Sequence, residues 1–237
     1  MAKKIDPRIA LADNDPWETA APEVVPEAAP EFVVPNRSFL AFVHAYPTYQ
    51  SFDFDLTEDR LAAIDALDRH AKKQRGGKTL ALFMRPGRGK SFLLHMFALW
   101  QAVQSDASTA LYLILTPNKA EARFKAGLLT AGLTSGEMPD MVAPTDVDVV
   151  VLSVAQTTQG YAPTLLLADD VGSIPVPEAE RARITGWLME AFTKRTVQGT
   201  TLSVMAATPQ SGLVPEMHVV NEHPDKFVVV DLMRTGE

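Results

Sequence analysis

Lys90 and Ser91 close the stretch Arg85-Pro86-Gly87-Arg88-Gly89-Lys90-Ser91, and Asp169 and Asp170 stand side by side further along the chain. An ammonium group, a hydroxyl and two carboxylates are the groups that handle a triphosphate and its Mg2+. A glycine loop that opens a helix turns backbone N–H groups and the positive helix end toward phosphate. The lysine reaches the outer phosphates, and the serine hydroxyl joins Mg2+. One acid at a strand end holds the metal shell, and a second orients the attacking water. A Gly-Lys-Ser or Gly-Lys-Thr tripeptide arises by accident in roughly one chain in ten of this length, so the flanking elements decide.

Those elements have the required types. Thr79 to Met84 (TLALFM) is a short apolar run readable as a buried strand, and Pro86, Gly87 and Gly89 punctuate it. Ser91 to Val103 is apolar nearly all round, as a buried helix would be. The usual loop pattern has glycine where Met84 stands. Around the acids, Thr164 to Asp170 (TLLLADD) ends an apolar run in two carboxylates, predicting a buried strand with both at its carboxyl edge, where ligands bind in open α/β sheets. Asp169 is then the Mg2+ acid and Asp170 the water-activating one. A strand running into a solvent-exposed acidic turn accounts for the same residues. A third strand, Thr200 to Pro209 (TTLSVMAATP), ends at Thr208, whose hydroxyl would sense the terminal phosphate; a strand stopped by proline is the equal alternative.

Around these segments, strands and helices alternate. A helix is expected over Thr57–Gln74, with Leu61, Ile64 and Leu67 as its apolar stripe, and another around Glu178 to Lys194. The runs LYLILTP (111–117), DVVVLSV (148–154) and KFVVVDLM (226–233) complete the strands, and NKAEARFKAGLLTAG makes the helix after the first of them. Near-continuous apolar strands separated by helices predict an α/β fold, a mostly parallel central sheet with helices on both faces. With the phosphate loop, this is a P-loop NTPase architecture.

Residues 1–36 carry a proline every few positions among Ala, Glu and Val, which predicts a disordered tail, solvated or partner-docking; residues 37–237 form the ATPase domain. Net charge is −7, of which the tail's three bases and seven acids carry −4. That excludes a protein that coats nucleic acid by bulk attraction, though a local basic loop can still touch DNA. The absence of cysteine excludes disulfides and zinc–thiolate sites, and the five scattered histidines have no metal-ligand spacing. No apolar run is long enough to span a membrane.

In this order, the three elements resemble the ATPase domain of the large terminase subunit, the motor that packages DNA into tailed-phage heads. FMRPGRGKS is similar to the loop FMPPRHGKS of one branch. LYLILTPNKAEARF is similar to the strand and polar helix that follow it, LLLADD to its acidic strand, and TLSVMAATPQSG to its coupling motif. The likeness spans roughly residues 75 to 235. It implies ATP and Mg2+ as cofactors, with Lys90 and Ser91 on phosphate and metal, Asp169 on metal, Asp170 as the catalytic acid and Thr208 as the coupling threonine. Arg85 or Arg88 would be the extra loop arginine. The family's Arg-Gly pair ahead of the acidic strand is Gln159-Gly160 here. A trans-acting arginine would therefore come from elsewhere, and Arg195, Arg181 and Arg183 are the candidates, each equally readable as a helix-surface charge.

The resemblance further implies a homo-oligomeric ring on a portal protein, double-stranded DNA as the substrate track, a small terminase subunit and a separate nuclease as further partners, and action in the cytoplasm of an infected host cell. Six residues follow Asp231, so no nuclease domain is expected in this chain. Two alternatives stay open. One is a P-loop kinase using the helix of Arg181 and Arg183 as its lid; the other is a non-catalytic scaffold with a degenerate loop.

Overall fold

The computed structural model describes residues 38–45, 55–73, 77–104, 109–134, 146–154, 156–172, 177–194, 196, 201–209 and 214–233. The tail expected over residues 1–36 lies outside them. Among these residues are six α-helices, α1 (Phe39–Ala45), α2 (Glu58–Lys73), α3 (Lys90–Gln104), α4 (Lys119–Thr134), α5 (Glu178–Lys194) and α6 (Pro215–Glu222), and six strands, which alternate except where α1 precedes α2 and β3 precedes β4. The strands are β1 (Thr79–Met84), β2 (Thr109–Thr116), β3 (Asp146–Ser153), β4 (Leu165–Asp169), β5 (Leu202–Ala207) and β6 (Phe227–Leu232). They form one sheet in the order β3-β2-β4-β5-β1-β6, with every neighbouring pair parallel.

Strand alternation divides the core. Leu80, Leu82 and Met84 of β1 face one layer with α1, α2, α3 and Leu129 of α4. Ala81 and Phe83 face the other, with Ile184, Leu188 and Phe192 of α5 and Val219 and Val220 of α6. Helices thus cover both faces, as a parallel sheet requires. Strands β1, β4 and β5 are buried along their whole length, which is why each reads as a mainly apolar run; the buried hydroxyls of Thr79 in β1 and Ser203 in β5 satisfy each other at 2.8 Å.

α1 and α6 are not legible in the residue pattern. α1 is held by packing: Phe39 meets Phe97 edge-on at 5.4 Å and Trp100 at 5.2 Å, and its N–H donates to Asp68 Oδ1 at 2.9 Å. On α2 the expected stripe is displaced. Ile64 and Leu67 are buried, but Leu61 is 39% exposed and Ala63 and Ala66 take its place. The small alanines let the helix lie close to its neighbours. Among the described residues no helix is long and apolar enough to cross a membrane.

Candidate functional site

Met84 ends β1 and Lys90 begins α3, so Arg85 to Gly89 form the whole turn between them. Gly87 (φ 74°) and Gly89 (φ 82°) adopt left-handed backbone that side chains resist. Nothing lies within 4 Å of where a Cβ would project from Gly87, so its requirement is conformational and not spatial. α2 braces the turn from outside: Arg60 Nε donates to the Arg88 carbonyl at 3.1 Å, and Arg88 Nε lies 3.6 Å from buried Asp59 Oδ2. Arg88 is thereby committed to α2. Arg85 differs. Its Nε and Nη2 are buried and hydrogen-bond to no described residue.

Sheet order brings the other groups to this turn. β5 lies between β1 and β4, so Thr208, one residue past β5, falls between the loop and the acids. Lys90 Nζ donates to Thr208 Oγ1 and lies 2.8 Å from Asp170 Oδ2, while Thr208 Oγ1 donates to the same carboxylate oxygen at 3.4 Å. Ser91 Oγ donates to Asp169 Oδ1 at 3.0 Å. Lys90, Asp169 and Thr208 are buried, and Ser91 is exposed. Pro86, Gly87, Gly89, Lys90, Ser91, Phe92, Asp170 and Thr208 line a pocket of about 440 Å3, within the size range of small-molecule sites.

Asp170 is the one non-glycine among the described residues with positive φ, at 49°. Its N–H continues the ladder to the Ala206 carbonyl at 2.9 Å, after which the backbone turns. Asp and Asn tolerate this region better than most residues, and such conformations gather where a side chain must be aimed.

Two groups that sequence reasoning did not single out complete the site. Lys125, on the second turn of α4, places Nζ 2.5 Å from Asp169 Oδ2 and 3.4 Å from Glu121 Oε2. α4 is capped by Asn118, whose Oδ1 accepts from the N–H groups of Ala120 and Glu121, both at 3.0 Å, and whose side-chain amide donates to Glu121 Oε1 at 3.2 Å. In the sequence Lys125 reads as one half of an i,i+4 surface pair with Glu121, which hides its second partner. The other group is Glu216 at the start of α6, fully buried, with Oε1 accepting from Gly172 N–H at 2.7 Å. Burial pushes its carboxyl up to about 7, against the pull of the N–H groups of Gly172, Glu216 and Val171 and with a further push from Asp170. Gly172 is 44 positions away, so no local pattern predicts the contact.

The chemistry of the donors suits Mg2+, which keeps several waters and takes one or two carboxylates together with substrate phosphates. Asp169 Oδ1 and Ser91 Oγ offer a carboxylate and a hydroxyl side by side. No group of three or more His, Asp or Glu side chains among the described residues could hold an ion alone, so the remaining ligands would be water and phosphate.

The remaining candidates are dispersed. Arg183 donates to the Val154 carbonyl at 3.0 Å and pairs with Glu180 at 2.5 Å. Val154 follows β3, four strand positions from β1, or about 19 Å across the sheet. Arg181 is half-buried on the same helix, and Gln159 is exposed in the turn before β4. Arg195 lies outside the described residues. Compared with known proteins, the chain matches no family model and no curated sequence.

Proposed function

We propose that this chain is a Mg2+-dependent ATPase with a P-loop NTPase fold, the motor of a machine that drives double-stranded DNA into a viral procapsid. The observation that carries the hydrolytic reading is the convergence of Lys90, Ser91, Asp170 and Thr208 around one pocket at the carboxyl edge of the sheet, with Asp169 hydrogen-bonded to Ser91. The DNA-packaging reading rests on the resemblance of the loop, the acidic strand and the Thr208 strand, in that order, to the large-terminase ATPase.

In this reading the N–H groups of the turn from Pro86 to Gly89 and the start of α3 receive the phosphates. Lys90 leaves Asp170 for the terminal phosphate oxygens. Ser91 and Asp169 would hold Mg2+, which would supply charge that neutralises the phosphates. Asp170, released from Lys90, orients the attacking water and accepts its proton. Thr208 reports whether Lys90 is on Asp170 or on phosphate. Arg85, whose buried Nε and Nη2 hydrogen-bond to no described residue, is favoured over Arg88 as the loop arginine, because Arg88 is engaged by α2. The machine implied is a homo-oligomeric ring on a portal protein, with Arg195 as a candidate for the arginine supplied across subunits.

The kinase alternative needs a mobile arginine lid. It is weakened by the second acid at the strand end and by the commitment of Arg183 to Val154 and Glu180. The test is to measure ATP hydrolysis with and without duplex DNA, alongside phosphoryl transfer to nucleosides. Turnover that rises with DNA is expected. Transfer to nucleosides would replace the motor with a kinase, and absence of any turnover would leave a scaffold.

A further inference from the structure

Asp170 holds its position against local backbone preference, so something must hold the turn that carries it. The three residues Asp170-Val171-Gly172 leave β4, and the first turn of α6 closes over them. Glu216 Oε1 accepts the Gly172 N–H at 2.7 Å from a site with no solvent exposure. Gly172 has no room for a side chain: a Cβ there would come within 2.4 Å of Pro215 Cδ and 2.6 Å of Glu216 Oε2. A buried carboxyl group is retained against its desolvation cost only where it makes a specific contact. Here that contact is the backbone of the Asp170 turn.

We infer that Glu216 is a positioning residue for Asp170, clamping the Asp170-Val171-Gly172 turn so that the Asp170 carboxylate meets Lys90 and Thr208 at the pocket wall. The inference deepens the ATPase reading and rests on it. Glu216 is buried and does not line the pocket, so it touches neither nucleotide nor water in the reaction. Its effect passes wholly through the backbone to Asp170. α6 is the first described helix after β5, and its start holds the end of β4 through Glu216 and Gly172.

This predicts a particular split between chemistry and binding. In the full chain, Glu216→Ala should lower kcat roughly 10- to 100-fold, since displacing a reacting group by about 1 Å costs that much. Nucleotide affinity, read with a fluorescent ADP analogue, should stay within about threefold of wild type, because Lys90 and the glycine turn are untouched. Glu216→Gln keeps an acceptor oxygen for Gly172 N–H and should retain most of the turnover. On an Asp170→Asn background, Glu216→Ala should cost little more, because a residue acting only through Asp170 has nothing left to position.

An equal multiplicative loss in the two backgrounds would overturn the inference, as would unchanged kcat in a folded Glu216→Ala protein or a parallel collapse of nucleotide affinity. If Glu216→Ala does not fold, Glu216→Asp serves. It keeps an acid in the first turn of α6 but withdraws the oxygen by one methylene, and full turnover in it would equally sink the role. A wild-type chain that binds nucleotide but hydrolyses none would remove the ATPase reading and this inference together. Normal wild-type turnover with an indifferent Glu216 would remove the inference alone.

Discussion

Lys90 Nζ lies 2.8 Å from Asp170 Oδ2, so the cation expected to grip phosphate and the acid expected to activate water hold each other. Thr208 contacts both. The pair neutralises two charges that would otherwise be poorly solvated at the pocket wall. A terminal phosphate that draws Lys90 away would at the same moment expose the Asp170 carboxylate to water. In the proposed ATPase, nucleotide loading and release of the general base would then be one event.

The two members of this pair should fail differently. Lys90→Ala should abolish hydrolysis and weaken nucleotide binding, because it removes charge from the phosphates. Asp170→Asn should still bind ATP yet hydrolyse it roughly 100-fold or more slowly. Asparagine tolerates the left-handed backbone at this position, so the turn should survive the change. Near-normal turnover in Asp170→Asn would move suspicion to another acid.

Lys125 neutralises Asp169, whose side chain is 2% exposed. Lys125→Met should destabilise the metal-free protein by about 3 kcal/mol, the lower end for an orphaned buried charge, since the Lys125 side chain is itself 17% exposed. The double variant with Asp169→Asn should recover much of the loss. Mg2+ with nucleotide should raise the melting temperature of Lys125→Met more than that of wild type, because the ion replaces the missing cation. Equal shifts in the two melts would show that Lys125 and the metal do not share Asp169.

Gly172→Ala should cost roughly 1–3 kcal/mol, the usual range for forced overpacking, because the proline ring at Pro215 cannot rotate away. Denaturant titration measures it. Unchanged stability would mean that α6 is free to shift and does not clamp the turn.

Glu216 sets a pH dependence of stability. Its carboxyl is raised from an ordinary 4.5 to about 7, chiefly by burial. Its contribution is therefore fully present below about 4.5, where folded and unfolded chains are both protonated. Between 4.5 and 7 only the unfolded chain ionises, so stability falls as pH rises, by up to about 3 kcal/mol in all. Glu216→Gln removes this term. Urea melts at pH 5 and pH 8 should show the variant gaining on wild type at the higher pH. Subtracting the two proteins cancels buried His70 and half-buried His95, whose values are both lowered by desolvation. A constant difference across that range would contradict the raised value.

What the sequence determined by itself is what local physics encodes. β1, β4 and β5 were legible because strands buried on both faces are mostly apolar. The turn at Gly87 and Gly89 was legible because left-handed backbone calls for glycine, and α3 because a buried helix is apolar all round. Lys90, Ser91, Asp169 and Asp170 could be singled out because each stands at the end of such an element. α1 and α6 escaped because each is a short helix held by distant partners, as Phe39 is by Phe97 and Trp100. Only the tertiary structure decided that β5 separates β1 from β4, which puts Thr208 between Lys90 and Asp170. It alone brought Lys125 to Asp169 across 44 positions, and Glu216 to Gly172 across as many. Such pairs carry no period and no spacing, because two residues so far apart in the chain meet only once the whole sheet has ordered its strands.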